Sequence, residues 1–434
     1  MSRTTLKLRL ENYKAIRDAT IALDDITVLS GVNASGKSTI AHAFHSIINL
    51  SATYNEWAIR SAWSMIAPLV WEMASLAGRL SQGNGYEGGA QNNSIIDNFE
   101  RNLLVRPYSD TVNAVSDALS NIRKLIADRK NNESVSRAFD VFLRNISKNN
   151  EVSAENYVEY VIGMLATSQA EYDGLIRKRV YTAYNVAFPK MRNWLMFPGT
   201  IRFFEGDTVV YYTVKDQTSN AQPMSDLKEI YGVKRAIYIE SPWTSIPTLQ
   251  KDGRLDMQDG YVYPVGKLRN QPKSKLFDVL NGSLKNEDGH WQYLRKDGLS
   301  PIDLSICATG MKALSILEIL YDGGYLDDDT LLIVDEPEAH LHPQWVFEYA
   351  KILVALNRRH QVRLLITSHN PDMVNAIKTI ADEEGVEGLR FYVSESVDDS
   401  PYDFTYRDLG RDIEPIFATF NKALDSIEAY RGRD

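Results

Sequence analysis

The sequence holds one cysteine, Cys307, in 434 residues. No internal disulfide can form, which fits a reducing cytoplasm and rules out a disulfide-stapled scaffold. No stretch approaches the ~20 unbroken apolar residues that a membrane helix needs. The opening Met1-Ser2-Arg3-Thr4-Thr5 runs straight into a strand pattern, without the apolar segment of a secretion signal. Surplus positive charge is missing too. The net charge is −9, so the chain as a whole lacks an electrostatic footprint for nucleic acid, and only a local basic patch could supply one. There is no internal repeat and no low-complexity tract. The expectation is a cytoplasmic protein with no membrane segment.

What is present is ordinary for a globular protein: 44% apolar residues for a core and 24% charged residues for a surface. The length suits two or three domains, or one large domain carrying an insertion. Leu6, Leu8 and Leu10 alternate with polar residues, and Ile26-Thr27-Val28-Leu29 is a compact apolar strand. A helix is expected from about Lys37, with Ile40, Ala43, Phe44, Ile47 and Ile48 at helical spacing. From about 50 to 195 the pattern is mostly helical, broken by the Gly/Asn-rich stretch from Gly83 to Asn93. Strands return at Ile201–Phe204 and Val209–Val214, joined by a hairpin at Glu205-Gly206-Asp207, and again at 235–240. The polar segment 250–275 reads as loop.

The last third alternates helix (Gly310–Tyr321), strand (Thr330–Val334), helix (Pro343–Asn357) and strand (Leu364–Thr367). It closes with strands Leu389–Val393 and Tyr402–Tyr406 and a helix over Ile413–Tyr430. Fully apolar strands spaced by helices predict parallel strands covered on both faces. The expected organisation is an α/β nucleotide domain, residues 1–50 and 200–434, split by a mainly helical insertion, 51–199.

Three strand ends carry chemistry. Gly31-Val32-Asn33-Ala34-Ser35-Gly36-Lys37-Ser38 fits G-x-x-x-x-G-K-S/T between an apolar strand and an amphipathic helix. Its glycines let backbone N–H groups wrap a phosphate at a helix N-terminus. Lys37 would reach the β- and γ-phosphates and Ser38 would ligate Mg²⁺. Gly31, Asn33, Ala34, Ser35, Gly36, Lys37, Ser38 and Thr39 are the candidate ATP-binding residues. A turn that binds nothing is the alternative, and both flanking elements speak against it.

Asp335 ends the apolar run Leu331–Val334, where a carboxylate can hold Mg²⁺, and Glu336 follows as candidate general base. Leu364–Thr367 ends in Ser368-His369, whose imidazole could contact the γ-phosphate and place the water. Ala308-Thr309-Gly310-Met311-Lys312 opens a helix and offers a second anion-binding end. On pattern alone it is only a cap, with Thr309 or Asp303 as the capping residue. His340 and His342 form an H-x-H without a third ligand nearby in sequence, so a loop role outweighs a metal site.

Together these segments resemble the ABC ATPase superfamily, and within it the RecF/OLD/SMC-like branch. Leu10-Glu11-Asn12-Tyr13-Lys14-Ala15-Ile16 is similar to that branch's first hairpin. The stretch from Asp335-Glu336-Pro337-Glu338 to Pro343 is similar to its extended Walker B and D-loop, and Ser368-His369-Asn370-Pro371 to its His switch. The resemblance covers about 1–50 and 300–395.

It implies an ABC-type P-loop NTPase fold with ATP sandwiched, with Mg²⁺, between two protomers. Thr309 and Gly310 of one subunit would touch the γ-phosphate held by the other. Ala308 stands where the branch usually has Ser, so Thr309 would supply any hydroxyl. The Q-loop glutamine is expected between Glu240 and Gln250, and Lys14 matches a basic position near nucleotide. The resemblance further implies a homodimer or higher homo-oligomer, and a separate effector such as a nuclease. It points to phage-defence or DNA-repair modules, with nucleic acid met directly or through the partner. OLD-type relatives that cut carry a nuclease domain, and this sequence shows none.

The insertion's basic clusters, Arg123-Lys124, Arg129-Lys130 and Arg177-Lys178-Arg179, are interleaved with acidic residues. They are a solvated helix face or a DNA contact. Two other functions compete. A transporter's ATP subunit is disfavoured by the insertion and by the lack of a membrane-docking pattern. A non-hydrolysing ATP scaffold is disfavoured by Glu336.

Overall fold

The computed structural model describes residues 4–52, 133–146, 156–157, 197–215, 226–227, 230–240, 246–249, 255–257, 260–262, 275–339, 341–398 and 400–418. The chain divides into two compact units, Met1–Ala52 with Ala183–Asp434, and Thr53–Thr182.

The first unit is built on an eleven-stranded sheet. Its strands, in chain order, begin with β1 (Leu6–Tyr13), β2 (Ile16–Leu23), β3 (Ile26–Ser30), β4 (Gly199–Glu205), β5 (Thr208–Lys215), β6 (Asp226–Leu227) and β7 (Arg235–Glu240). Two small sheets follow. One contains β8 (Thr248–Leu249), β9 (Leu255–Met257) and β10 (Gly260–Val262), the other β11 (Gly282–Glu287), β12 (His290–Arg295) and β13 (Ile302–Asp303). The main sheet is completed by β14 (Thr330–Asp335), β15 (Arg363–Ser368), β16 (Leu389–Ser396) and β17 (Phe404–Gly410). Its order is β6-β5-β4-β1-β2-β17-β16-β3-β15-β14-β7.

The half from β16 to β7 is parallel throughout. Every residue of β3, β14 and β15 is buried, as strands sandwiched between helical layers must be. The other half is mainly antiparallel, and β1 shows the alternation expected of it: Leu6, Leu8 and Leu10 point inward between half-buried Lys7 and Arg9. The fold is therefore the mixed-sheet, ABC-type P-loop NTPase fold that the motifs imply.

Helix α1 covers 37–52. Its apolar stripe, Ile40, Ala43, Phe44, Ile47 and Ile48, is buried, but so are His42, His45, Ser46 and Asn49. The Asn49 amide accounts for part of this. It donates to the Ala236 carbonyl at 2.9 Å and accepts from the Ala236 N–H at 3.0 Å, joining the helix to β7.

Some expectations need correction. The segment 250–275 contains β9 and β10, which three-residue strands with no room for alternation conceal from a pattern reading. The helix at Thr309, α3 (Thr309–Asp322), has Ala308 at its N-cap and no side-chain cap bond. Thr309 already lies in the first turn, so it cannot cap. Asp303 caps the short 3-10 turn Leu304–Ile306 instead, accepting from the Ser305 N–H at 2.7 Å. The last strand begins at Phe404 rather than Tyr402. Ser400 and Asp403 close the preceding turn by hydrogen bond, and Tyr402 is left 78% exposed.

Two further helices start with proline at the first turn, where its missing N–H costs nothing. They are α4 (Pro343–His360) and α5 (Pro371–Glu383), capped by the His342 imidazole and the Asn370 amide oxygen respectively. At the C-terminal end only the start of the expected Ile413–Tyr430 helix is described, and it is helical from 414.

In the second unit the described residues are helix α2 (Glu133–Ile146) and Asn156-Tyr157. Phe139 and Phe142 are buried on one face and meet the Tyr157 ring at 5.3 and 6.2 Å between centroids. The Gly/Asn-rich stretch, the basic clusters at 123–130 and 177–179, and the Q-loop glutamine sought up to Gln250 lie outside the described residues.

Candidate nucleotide site

Strands β3, β15 and β14 are adjacent and parallel, so their C-terminal ends open side by side. In open parallel sheets that edge is where ligands bind. The octapeptide follows β3, Ser368-His369 ends and follows β15, and Asp335-Glu336 ends and follows β14.

The loop after β3 turns through three residues with positive φ: Gly31 (150°), Ala34 (63°) and Gly36 (97°). Such a backbone turns N–H groups inward and makes an anion cradle. Two of these positions strongly favour glycine. A Cβ at Gly31 would fall 1.8 Å from the Ser394 Oγ, and one at Gly36 would fall 2.8 Å from the Ile16 side chain. Ser35 is buried, and its carbonyl accepts from the Tyr406 hydroxyl at 3.3 Å, which props the loop from β17. Asn33 and Ala34 are exposed, Ser38 is half-buried, and Thr39 is buried in the first turn of α1.

Lys37 is buried and donates from Nζ to the carbonyls of Gly31 at 3.1 Å and Val32 at 3.0 Å. Burial pulls its ammonium pKa down, and the carboxylates of Glu336, Asp335 and Glu338 act against that shift. The lysine thus faces the acidic strand end.

Asp335 is buried, with both oxygens engaged. Tyr238 of β7 donates to Oδ2 at 2.6 Å, and Thr367 of β15 donates to Oδ1. The next residue, Glu336, has φ 50°, a left-handed turn that swings its side chain out of the strand line. Its N–H donates to the Thr367 carbonyl at 3.0 Å. Its Oε1 lies 3.2 Å from the His369 Nδ1. The carboxylate–imidazole pair is half open to solvent: the His369 side chain is 40% exposed and that of Glu336 is 35% exposed.

The structure thus brings together Gly31, Ser35, Gly36, Lys37, Asp335, Glu336 and His369, with Ser38 and Thr39 at the base of the loop. Thr309 and Gly310 stand apart, and none of the described hydrogen bonds or ion pairs links them to this cluster. Gly310 packs on Trp345, where an added Cβ would come within 3.2 Å of the ring, while Ala308 before it is exposed.

Lys14 sits at the β1–β2 turn with its ammonium 4.2 Å from the Phe197 ring centroid, and burial lowers its pKa to about 8. His342 serves as the α4 cap, while His340 lies outside the described residues. Among the described residues, no group of three or more His, Cys, Asp or Glu side chains converges as a metal site.

Sequence reasoning missed Tyr238, Thr367 and Glu338. Tyr238 offered a faint signal: a phenol inside a buried strand has to find an acceptor.

ATP and Mg²⁺ fit these residues. The left-handed turns of the cradle and the buried Lys37 ammonium beside it supply the N–H groups and the positive charge that a phosphate chain needs. One strand-end carboxylate plus a helix-start hydroxyl is the sparse protein donor set that Mg²⁺ uses with nucleotide phosphates.

Sheet, cradle and acidic strand end together define a P-loop ATPase fold built to bind ATP. Family comparison agrees. A model described as AAA ATPase domain matches residues 6–159, and one described as AAA domain, putative AbiEii toxin, Type IV TA system matches residues 307–375. The first spans the glycine cradle and the second spans Thr309, Asp335 and His369.

A comparison with curated proteins found no match. Among solved structures the chain is similar to the Smc head domain with an extended coiled coil, bound to the C-terminal domain of ScpA, from Pyrococcus furiosus. That match has 11% identity, a TM-score of 0.33, and 98% of each chain covered. It is also similar to the SMC head domain from Thermotoga maritima (11% identity, TM-score 0.33, 94% of this chain and 99% of that chain). A third is the Smc head domain with a coiled coil and joint from Pyrococcus yayanosii (11% identity, TM-score 0.36, 96% and 99%). Likeness at that level bears on neither site nor function.

Proposed function

We propose that the chain is a Mg²⁺-dependent ATPase that closes head to tail on ATP as a homodimer or higher homo-oligomer. In that state it controls a separate effector, such as a nuclease, acting on nucleic acid in the cytoplasm. The carrying observation is the meeting of Lys37, Asp335, Glu336 and His369 at the ends of three adjacent parallel strands.

In this reading the backbone N–H groups of Gly31–Gly36 and the start of α1 hold the phosphates. Lys37 leaves its loop carbonyls to neutralise the β- and γ-phosphates. Ser38 and Asp335 hold Mg²⁺, which when bound offsets charge on the phosphate oxygens. Glu336, half exposed and turned out of the strand, accepts the proton of the attacking water. His369 lies within hydrogen-bond reach of that carboxylate and orients it and the water. Thr309 and Gly310, partly exposed and joined to this cluster by none of the described hydrogen bonds, would meet the γ-phosphate on a second protomer.

The description of the second family model as a putative toxin of a type IV toxin–antitoxin system supports a partnered defence role over transport. Among the described residues no helix is long and apolar enough to cross a membrane. The domain division proposed is the nucleotide domain of 1–50 and 200–434 with the insertion 51–199.

The test is equilibrium ATP binding by wild type and Lys37→Ala. Removing the point charge on the phosphates should abolish binding. Undiminished affinity in the variant would overturn the assignment.

A further inference from the structure

The carboxylate of Glu338 has no part in the chemistry just described, yet it is among the most enclosed charged groups in the fold. Its side chain is 2% exposed, against 35% for Glu336 two residues earlier. The left-handed turn at Glu336 and the Ala339 N–H to Glu336 carbonyl bond (3.0 Å) reverse the chain. Glu338 then points back beneath the ends of β14 and β15. There its Oε1 accepts from the Ser368 hydroxyl at 2.8 Å and from the His369 backbone N–H at 3.1 Å. The His369 Nδ1 is 3.7 Å from the same oxygen. Oε2 is buried without a hydrogen-bond partner among the described residues. A buried carboxylate with one idle oxygen is costly, and the two hydrogen bonds to Oε1 are the contacts that offset that cost.

We infer that Glu338 is the positioning residue for His369, its Oε1 fixing the strand end so that the imidazole stays beside Glu336. The inference rests on the ATP-hydrolysis reading above. The backbone of His369 is otherwise the first residue past β15, where no ladder bond holds it. Its ring must stay within hydrogen-bond reach of Glu336 to orient the base. Because Oε1 sits between the two loops, it also makes them move as one: a shift of the turn after β14 carries His369 with it. Burial raises the Glu338 pKa, and a protonated carboxyl would still accept through the same oxygen. The two donors to Oε1, a hydroxyl and a backbone N–H, are neutral, so the role is one of hydrogen-bond acceptance rather than charge. That distinction fixes which variant should be tolerated.

The experiment uses the full chain with Glu338→Gln, which keeps the acceptor, Glu338→Met, which fills the space without one, and Ser368→Ala, which removes one of the two donors. ATP affinity, KM and kcat are measured in parallel with the His369 imidazole NMR resonance, assigned through His369→Gln. Glu338→Gln should stay within about threefold of wild type, while Glu338→Met loses on the order of 10- to 100-fold in kcat, the scale for sub-ångström misplacement of a reacting group. ATP affinity and KM should hold within about threefold in both. The imidazole resonance should move in Glu338→Met and stay in Glu338→Gln. Should Glu338→Met not fold, Ser368→Ala serves, with a smaller fall in kcat and the same resonance displaced.

A Glu338→Met enzyme with wild-type kcat, an equal loss in Glu338→Gln, or an unmoved imidazole resonance overturns the inference. If wild type binds ATP but never turns it over, the hydrolysis reading fails. The imidazole resonance then still decides whether Glu338 positions His369.

Discussion

Tyr238 donates its phenolic hydrogen to Oδ2 of Asp335 across 2.6 Å, from the strand that runs parallel beside it. The ring is itself held: His42 of the phosphate-loop helix stacks on it with centroids 4.2 Å apart and planes 18° from parallel. The helix that follows the phosphate cradle is thus tied, through one ring, to the carboxylate proposed to hold Mg²⁺. Outer partners of a metal-binding carboxylate fix its orientation, and their loss typically weakens metal affinity by about 10- to 100-fold. Tyr238→Phe keeps the ring stack and removes only the donor. Its Mg²⁺ requirement for nucleotide binding, followed by titration, should rise at least severalfold. An unchanged Mg²⁺ midpoint would leave Tyr238 a packing residue.

Gly31→Ala combines an unfavourable backbone, φ 150°, with a Cβ 1.8 Å from the Ser394 Oγ and 2.7 Å from its Cβ. Rotating the serine removes only the first clash. The strand and loop must part, at a cost on the order of 1–3 kcal/mol for a strained position. Urea unfolding of the variant should show that loss, with weaker ATP binding. Stability and affinity equal to wild type would mean the loop lies differently.

Two buried histidines give the protein an acid sensitivity of known sign. Burial lowers His42, helped by the Lys14 charge, and lowers His45, helped by His42, each to about 3. Both are neutral in the folded state, while the unfolded chain takes up their protons below the ordinary histidine value of about 6.5. Folded stability therefore falls as pH drops from about 6.5 towards about 3. At pH 5 the linkage is about 2 kcal/mol per histidine, an upper figure because the two interact. Urea midpoints at pH 7.5 and 5.0 should differ less in His45→Gln than in wild type. Equal differences would show that His45 is protonated in the folded protein.

The site was legible wherever order along the chain coincided with order in space. Lys37, Asp335, Glu336 and His369 each follow an apolar strand, and parallel strands put all their ends on one edge, so motif order became proximity. Tyr238 and Thr367 were invisible because their importance lies in cross-strand register: Asp335 pairs with Thr367 on one side and lies beside the Tyr238 strand on the other. Glu338 was read as part of a loop, since nothing in a sequence tells which of two nearby carboxylates a turn sends outward. Thr309 and Asp303 were both plausible caps by type, and only the start of α3 decided against them. Strands β9 and β10 are too short to show any period.

The pure protein is expected not to cut nucleic acid, which follows from the proposed division of labour with an effector. Three acidic residues around the last strand, Asp403, Asp408 and Asp412, are engaged within the chain. Asp408 pairs with Arg390 at 2.7 Å, Asp403 accepts from Ser400 at 3.1 Å, and Asp412 accepts from the Glu414 N–H at 3.0 Å. Metal-dependent cleavage needs several carboxylates free to converge on an ion. Plasmid, single-stranded DNA and tRNA, incubated with ATP and Mg²⁺ or Mn²⁺, should stay intact. Cleavage that survives purification and disappears in Asp403→Ala would place a nuclease in this chain.

The most direct test concerns Glu336, turned out of its strand and 3.2 Å from His369. Glu336→Gln keeps the shape and removes the base. ATP affinity and single-turnover hydrolysis are measured on the same preparation, with sedimentation in ATP to follow assembly. Binding should match wild type, hydrolysis should slow by on the order of 10²-fold or more, and an ATP-bound dimer should accumulate. Hydrolysis at the wild-type rate, with ATP bound normally, would contradict the account and move the base elsewhere, to His369 first.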